Sequence, residues 1–262
     1  MHNFDFAKPS TIADAVKALA ADGAQALSGG QTLIPTMKQR LAAPSLLVSL
    51  TGIKEMQGVC MGDGGLHIGA ATPHAVVAKE AKAHYPALAA LAAGIGDPAV
   101  RSRGTIGGSV ANNDPAACYP SAVLASGATI VTNTRKIAAD DYFQGLFTTA
   151  LEDGEFITEV VFPIPQKAAY VKFNQPASRF ALTGVFVAKH PNGVRVGVTG
   201  AGNDGVFRWK EAEAALSANF SAAALSGLTV DAGGMNADLH GSAAYRANLV
   251  KVLTGRAVTA AG

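Results

Sequence analysis

Two glycine-rich turns, Ser28-Gly29-Gly30-Gln31-Thr32 and Gly104-Thr105-Ile106-Gly107-Gly108-Ser109, constrain this chain more than any other feature. Each joins residues free to take positive φ to small hydroxyl or amide side chains. Successive backbone N–H groups can then converge on an anion with no Cβ in the way. One such turn alone is usually a plain loop. A fold that brings two of them face to face can hold a diphosphate from both sides. The stretch from Gln31 to Arg40, apolar at Leu33, Ile34, Met37 and Leu41, reads as a helix or helical loop starting at the first turn, where it would add positive dipole.

Length and composition narrow the rest. At 262 residues the chain can bury one large domain or two modest ones. With 49% hydrophobic and 15% charged residues it is somewhat apolar for its size, which means either surface covered by partner chains or an alanine-rich core. The net charge of +2 is scattered without a basic run, so nucleic acid is not expected as a partner. The opening Met1-His2-Asn3-Phe4-Asp5-Phe6 has no basic segment followed by an apolar one, and Pro86 to Ile95 is too short to span a bilayer, so a cytoplasmic protein is expected. Cys60 and Cys118 stand isolated and the 6 histidines show no ligand spacing, so no metal or iron–sulfur cluster is expected within this chain. No Gly-x-Ser-x-Gly elbow or paired-carboxylate pattern stands out, so no catalytic side chain is assigned.

Short strands and helices alternate. Thr11 and Asp14 open a helix that ends near Gly23, and Ala24 to Ser28 is a strand running into the first turn. Leu46 to Leu50 and Leu66 to Ala70 read as strands. Thr72 caps a helix with Pro73 at its first position, and Pro86 begins another. After the second turn come a helix near Pro120 to Ser126 and strands Ala128 to Thr132 and Phe156 to Phe162. Pro163 and Pro165 then mark a boundary. Strands Tyr170 to Phe173, Gly184 to Lys189 and Val194 to Thr199, followed by helices Lys210 to Leu216 and Ala243 to Leu253, predict an antiparallel sheet covered on one face.

Gly200-Ala201-Gly202-Asn203-Asp204-Gly205 matches the literal dinucleotide fingerprint after a strand. Val206-Phe207-Arg208-Trp209 intervenes before any helical pattern, whereas the fingerprint needs its third glycine in the first helical turn. A strand-to-helix turn is expected there.

The flanks of the two turns carry a family likeness. Ala26-Leu27-Ser28-Gly29-Gly30-Gln31-Thr32-Leu33-Ile34-Pro35, the run from Gly96 through Ser109, and Asn112-Asn113-Asp114-Pro115-Ala116 resemble the FAD-binding medium subunit of the molybdenum hydroxylases, the family of aerobic carbon monoxide dehydrogenase and xanthine dehydrogenase. The resemblance covers essentially the whole chain, including Gly154 to Ile157 and Lys172 to Phe180. It implies an α+β fold. A two-part FAD-binding domain of the vanillyl-alcohol-oxidase-like (PCMH) type would occupy 1–165, with subdomains of about 1–55 and 56–165, and a smaller α+β domain with an antiparallel sheet would occupy 166–262.

Carried onto this sequence, the resemblance implies that Leu27, Ser28, Gly29, Gly30, Gln31 and Thr32 wrap the diphosphate and adjoining ribose of FAD. Thr105, Gly107, Gly108 and Ser109 would meet it from the other side. Ile95 would lie against the flavin ring, Gly96 would let backbone come close beside it, and main-chain groups of Phe156 and Ile157 would meet the adenine. Without the resemblance, Ile95, Phe156 and Ile157 read equally well as core. Cys118 stands where relatives often carry an aspartate that contacts the cofactor's hydroxyls, leaving that contact absent or supplied by Asn113 or Asp114. Pro176 stands near the place of a basic residue at the pyrimidine edge of the flavin, leaving Lys172, Gln175 or Arg179 for that role.

In function, the resemblance implies an electron-transfer oxidoreductase subunit whose chemistry lies on FAD. Electrons would arrive from 2Fe-2S clusters of a small subunit, supplied by a large subunit that holds the molybdenum cofactor, and leave to NAD, quinone, oxygen or a carrier protein. The assembly would be a dimer of heterotrimers, cytoplasmic, touching the inner face of the membrane where the acceptor lies there. Two other readings stay open: a self-sufficient FAD-dependent oxidase or reductase of the same fold, and a nucleotide-binding assembly subunit without redox activity.

Overall fold

The first sheet puts the Ser28–Thr32 turn at the end of an edge strand. The computed structural model describes residues 1–262 and opens with β1 (Asp5–Ala7), α1 (Ile12–Leu19), β2 (Ala24–Leu27), α2 (Leu33–Lys38) and β3 (Leu46–Ser49). Thr11 caps α1: its Oγ1 accepts the Asp14 N–H at 3.1 Å and its hydroxyl donates to the Asp14 carboxylate at 2.8 Å. The strands are parallel in the order β1-β3-β2, with Leu47 and Val48 of β3 buried. The α2 helix is shorter than the Gln31–Arg40 stretch suggests. Thr32 makes no side-chain cap, and Arg40 takes a left-handed φ of 63°, which ends the helical run.

The chain continues through β4 (Val59–Gly62), β5 (Gly65–Gly69), α3 (His74–Glu80), α4 (Pro86–Ala93), α5 (Pro98–Arg103), α6 (Ile106–Asn112) and α7 (Tyr119–Ser126). It then forms β6 (Thr129–Thr132), β7 (Lys136–Ala138), α8 (Ala139–Tyr142), β8 (Phe143–Gly145), β9 (Thr148–Thr149) and β10 (Ile157–Phe162). The five-stranded sheet runs β4-β5-β10-β6-β7 and is antiparallel, so the late strand β10 inserts between β5 and β6. Pro86 occupies the first turn of α4 as predicted, whereas Pro73 is the cap of α3 rather than its first helical residue. Every residue of α7 is buried, and Leu88, Ala89, Leu91 and Ala92 of α4 are as well, so the most apolar stretch of the sequence is a core helix. The second glycine turn is half helix: Thr105 caps α6 by accepting the Gly108 N–H at 3.2 Å.

The third sheet is a meander of β11 (Lys167–Asn174), β12 (Ala181–His190), β13 (Gly193–Gly202) and β14 (Gly205–Arg208), followed by α9 (Lys210–Ala218) and α10 (Ala243–Ala261). Phe186 and Ala188 of β12 join the core built by the first two sheets, while Val185 and Val187 pack with α9 and α10. Burial on both faces explains its near-continuous apolar sequence. The segment Gly200–Gly205 is corrected from strand-to-helix turn to hairpin, since Gly202 pairs with Gly205 across the turn between β13 and β14. An antiparallel hairpin offers no crossover helix to receive a dinucleotide.

Candidate functional site

A cavity of about 530 Å³ opens where the three sheets meet, large enough for a cofactor-sized ligand. Its wall combines both glycine turns, the Ile95–Gly96 bend after α4, the start of β10 and the Ser178–Phe180 end of the loop from β11 to β12. The turns touch directly. Ser28 Oγ and Thr105 Oγ1 share a hydrogen bond of 2.7 Å, and a Cβ on Gly29 would collide with the carbonyl of Arg103 and lie 2.6 Å from Gly104 Cα. Only glycine at 29 lets the two backbones cross this closely.

The turns contribute unequally. The N–H groups of Ser28, Gly29, Gly30, Gln31 and Thr32 donate to no group of the chain, so the first turn is a row of free donors on the cavity wall. In the second turn, the Ile106 N–H donates to Thr72 O at 3.2 Å and the Gly107 N–H to Ala70 O at 2.9 Å. Gly107 thus serves close packing, because a Cβ there would sit 2.7 Å from Ala70 O. What the second turn presents is hydroxyl: Thr105 and Ser109, beside Ser28 from the first.

Leu27, Ile95, Gly96, Asp114, Cys118, Phe156, Ile157 and Lys172 all line the cavity with the two turns, and Asn113 is the exception. Its amide is turned away, donating to Gly145 O at 2.8 Å and Thr148 O at 2.9 Å, while its left-handed backbone (φ 43°) ends α6. Of the two substitutes for the contact missing at Cys118, Asn113 thus stands off the cavity wall and Asp114 on it. Asp114 lies on the wall and accepts the Ala116 N–H at 2.8 Å. Phe156 is fixed from both sides, donating to Asn133 Oδ1 at 2.9 Å and accepting the Asn133 N–H at 3.1 Å. Of the three basic-edge candidates, Gln175 folds its own loop by accepting the Ala177 and Ser178 N–H groups, and Arg179 lines the cavity from a left-handed backbone, φ 65°. Lys172 Nζ donates to Gly94 O at 2.7 Å and Arg179 O at 3.1 Å and lies 3.7 Å from Cys118 Sγ.

Two titratable wall residues were not singled out from the sequence. Glu155 is clasped by Arg135, Thr132, Thr134 and the Glu152 N–H, and the Arg135 hydrogen bond is the main cause that holds its carboxyl well below the usual range. His74 is 5% exposed, its ring 5.4 Å from that of Tyr119, with Nδ1 lacking any partner. Burial, with the Arg101 charge in support, pushes its pKa down to about 4, so it is neutral at pH 7. Its own N–H donates to Gly104 O at 2.9 Å, and its ring packs where a Gly104 Cβ would go. One histidine among 6 without spacing carries no sequence signal for this role.

Free backbone donors, small hydroxyls and a crossing that excludes any Cβ fit a diphosphate, and the adjoining apolar wall of Ile95, Phe156 and Ile157 fits the rings at its ends. Residues 2–165 match the family described as the FAD binding domain in molybdopterin dehydrogenase, and the chain belongs to that family of oxidoreductase subunits. It is 33% identical to the carbon monoxide dehydrogenase medium chain of Afipia carboxidovorans, over 98% of this chain and 96% of that one. It is 31% identical to the nicotine 6-hydroxylase medium subunit of Paenarthrobacter nicotinovorans, over 98% and 96%. The solved CO dehydrogenase from Oligotropha carboxidovorans superposes with a TM-score of 0.90 at 31% identity, covering 99% of this chain and 98% of that one. The cofactor of this chain is FAD. No helix is long and apolar enough to cross a membrane, and no group of three or more His, Cys, Asp or Glu is placed to hold a metal ion.

Proposed function

We propose that this chain is the electron-transfer medium subunit of a molybdenum hydroxylase, taking electrons from iron–sulfur clusters of a small subunit and passing them to an external acceptor. The observation that carries the reading is the row of free N–H donors from Ser28 to Thr32, set against the hydroxyls of Thr105 and Ser109. When bound, FAD supplies a ring that accepts and releases electrons. The residues of this chain hold it. The first turn binds the diphosphate through backbone donors, and Ser28 and Thr105 brace each other so that both turns keep their distance. Ile95 and Gly96 meet the flavin ring, and Phe156 and Ile157 close the adenine end. Three ionisable wall groups are held in structural bonds or kept neutral, Glu155 by Arg135, Lys172 by carbonyls and His74 by burial, while the Arg179 side chain on the same wall bonds to no group of the chain. That arrangement supports a subunit that positions and tunes a cofactor.

The relatives are medium chains and subunits by name, which supports a large and a small partner subunit; in our reading these are the molybdenum-binding and iron–sulfur subunits, and the assembly is a dimer of heterotrimers. We place the complex in the cytoplasm, at the inner membrane face where its acceptor is membrane-bound. Purification from the native source tests the reading. The three subunits should co-purify, and the visible flavin bands should bleach with the physiological substrate only in the assembled complex. A chain isolated alone, loaded with FAD and fully active on a small organic substrate, would refute it in favour of a self-sufficient oxidase.

A further inference from the structure

The bend that follows α4 is held in an unusual way. Its successive carbonyls each accept from a cationic side chain: Gly94 O from Lys172 Nζ at 2.7 Å, Ile95 O from Arg101 Nη1 at 2.9 Å and Gly96 O from the same Arg101 nitrogen at 3.1 Å. The two cations come from different layers, Arg101 from α5 and Lys172 from β11 of the third sheet. Neither pairs with a carboxylate. The Gly94 N–H donates to Ala90 O and the Ile95 N–H to Ala92 O, whereas the Gly96 N–H donates to nothing in the chain. Gly96 lines the cavity with a φ of 49°, and Arg101 itself is not part of the wall.

The consequence lies in the peptide unit. The Ile95 carbonyl and the Gly96 N–H belong to one planar amide, so a guanidinium drawing electron density toward that carbonyl makes the N–H across it a stronger donor. Hydrogen bonds from charged groups are also the strong ones, so they fix which way the amide faces. We propose that Arg101 and Lys172 are positioning residues for the flavin: they act through the 94–96 carbonyls to present the Gly96 N–H to the ring and to favour its reduced, negatively charged form. This rests on FAD occupying the cavity as read above. It gives a basic role at the ring to Arg101, which stands behind the backbone and has no sequence signal of its own, and to Lys172, which lies on the wall but directs its ammonium to the Gly94 and Arg179 carbonyls.

The test compares full-length wild type with Arg101→Gln and Lys172→Gln, using FAD and ADP as probes. ADP carries the diphosphate and adenosine but no flavin, so it reads the glycine turns without the bend. Both variants should keep ADP affinity within about two-fold, weaken oxidised FAD, and weaken reduced FAD about ten-fold more. By linkage that difference lowers the midpoint potential of bound FAD by about 30 mV for a two-electron couple. The absorption envelope of the bound flavin should change as well. An unchanged midpoint potential in both variants would overturn the proposal, and so would equal losses of ADP and FAD, which would make the two cations general supports of the fold. A wild-type chain that binds neither probe would instead refute the FAD reading itself, so the two failures are distinct.

Discussion

Acid should loosen the site through one imidazole. His74 titrates at 6.5 when free and at about 4 in the folded chain, because burial and the Arg101 charge oppose its cation. As pH falls below 6.5 the unfolded chain takes up the proton first, so stability present in full above that value is lost progressively down to pH 4 and changes no further below it. At 1.36 kcal/mol for each pH unit between the two values, the loss is roughly 3 kcal/mol. His74→Gln removes the titration. Urea unfolding of the FAD-free wild type and variant across that window should give two pH dependences that differ by about this amount, and the subtraction cancels His67 and His190, which are common to both. A histidine resonance that titrates near 4 in the wild type and is missing from the variant gives the same answer directly. Parallel pH dependences in the two proteins would show that His74 is not held neutral beneath the second turn.

Gly108→Ala places a Cβ 3.0 Å from Thr105 Oγ1 and 3.7 Å from Ser28 Cβ on a helical residue, so calorimetry should find stability within ~1 kcal/mol of wild type while FAD titration shows weakened retention. Retention equal to wild type would place the diphosphate away from the start of α6. Glu155 is held below its ordinary value of 4.5, so its contribution is present above that pH and is lost in acid. Glu155→Gln should start less stable at neutral pH and lose less between pH 5 and pH 3 by thermal denaturation.

The legible parts of this chain are those whose physics is local. Thr11 with Asp14, Pro86 at a first turn, and the alternating apolar strands sit where short-range rules put them. The start of α6 reads as a glycine-rich turn in the sequence, and Gly107 and Gly108, poor helix formers, give no local signal of the helix that forms there. Gly107 answers a demand from outside the helix, its close approach to Ala70. The free donors of the first turn follow from its glycines, whereas the engaged N–H groups of the second depend on Thr72 and Ala70. Likewise nothing near Asn113 in the sequence signals that its amide faces Gly145 and Thr148, and nothing near Lys172 points to Gly94. Long-range hydrogen bonds decided the misplaced residues.

The wall of the cavity draws on segments from Gln25 to Phe180, and Lys172 reaches back to Gly94 to complete it. A ribosome emits those segments in order, at roughly 5–20 residues per second. Until β11 and the loop after it have emerged, the glycine turns exist without the far side of their enclosure. Completion of the enclosure is therefore a late event in the life of each molecule, following synthesis of most of the chain. Products that end before β11 carry both glycine turns on an open face and should hold flavin less tightly than the finished chain.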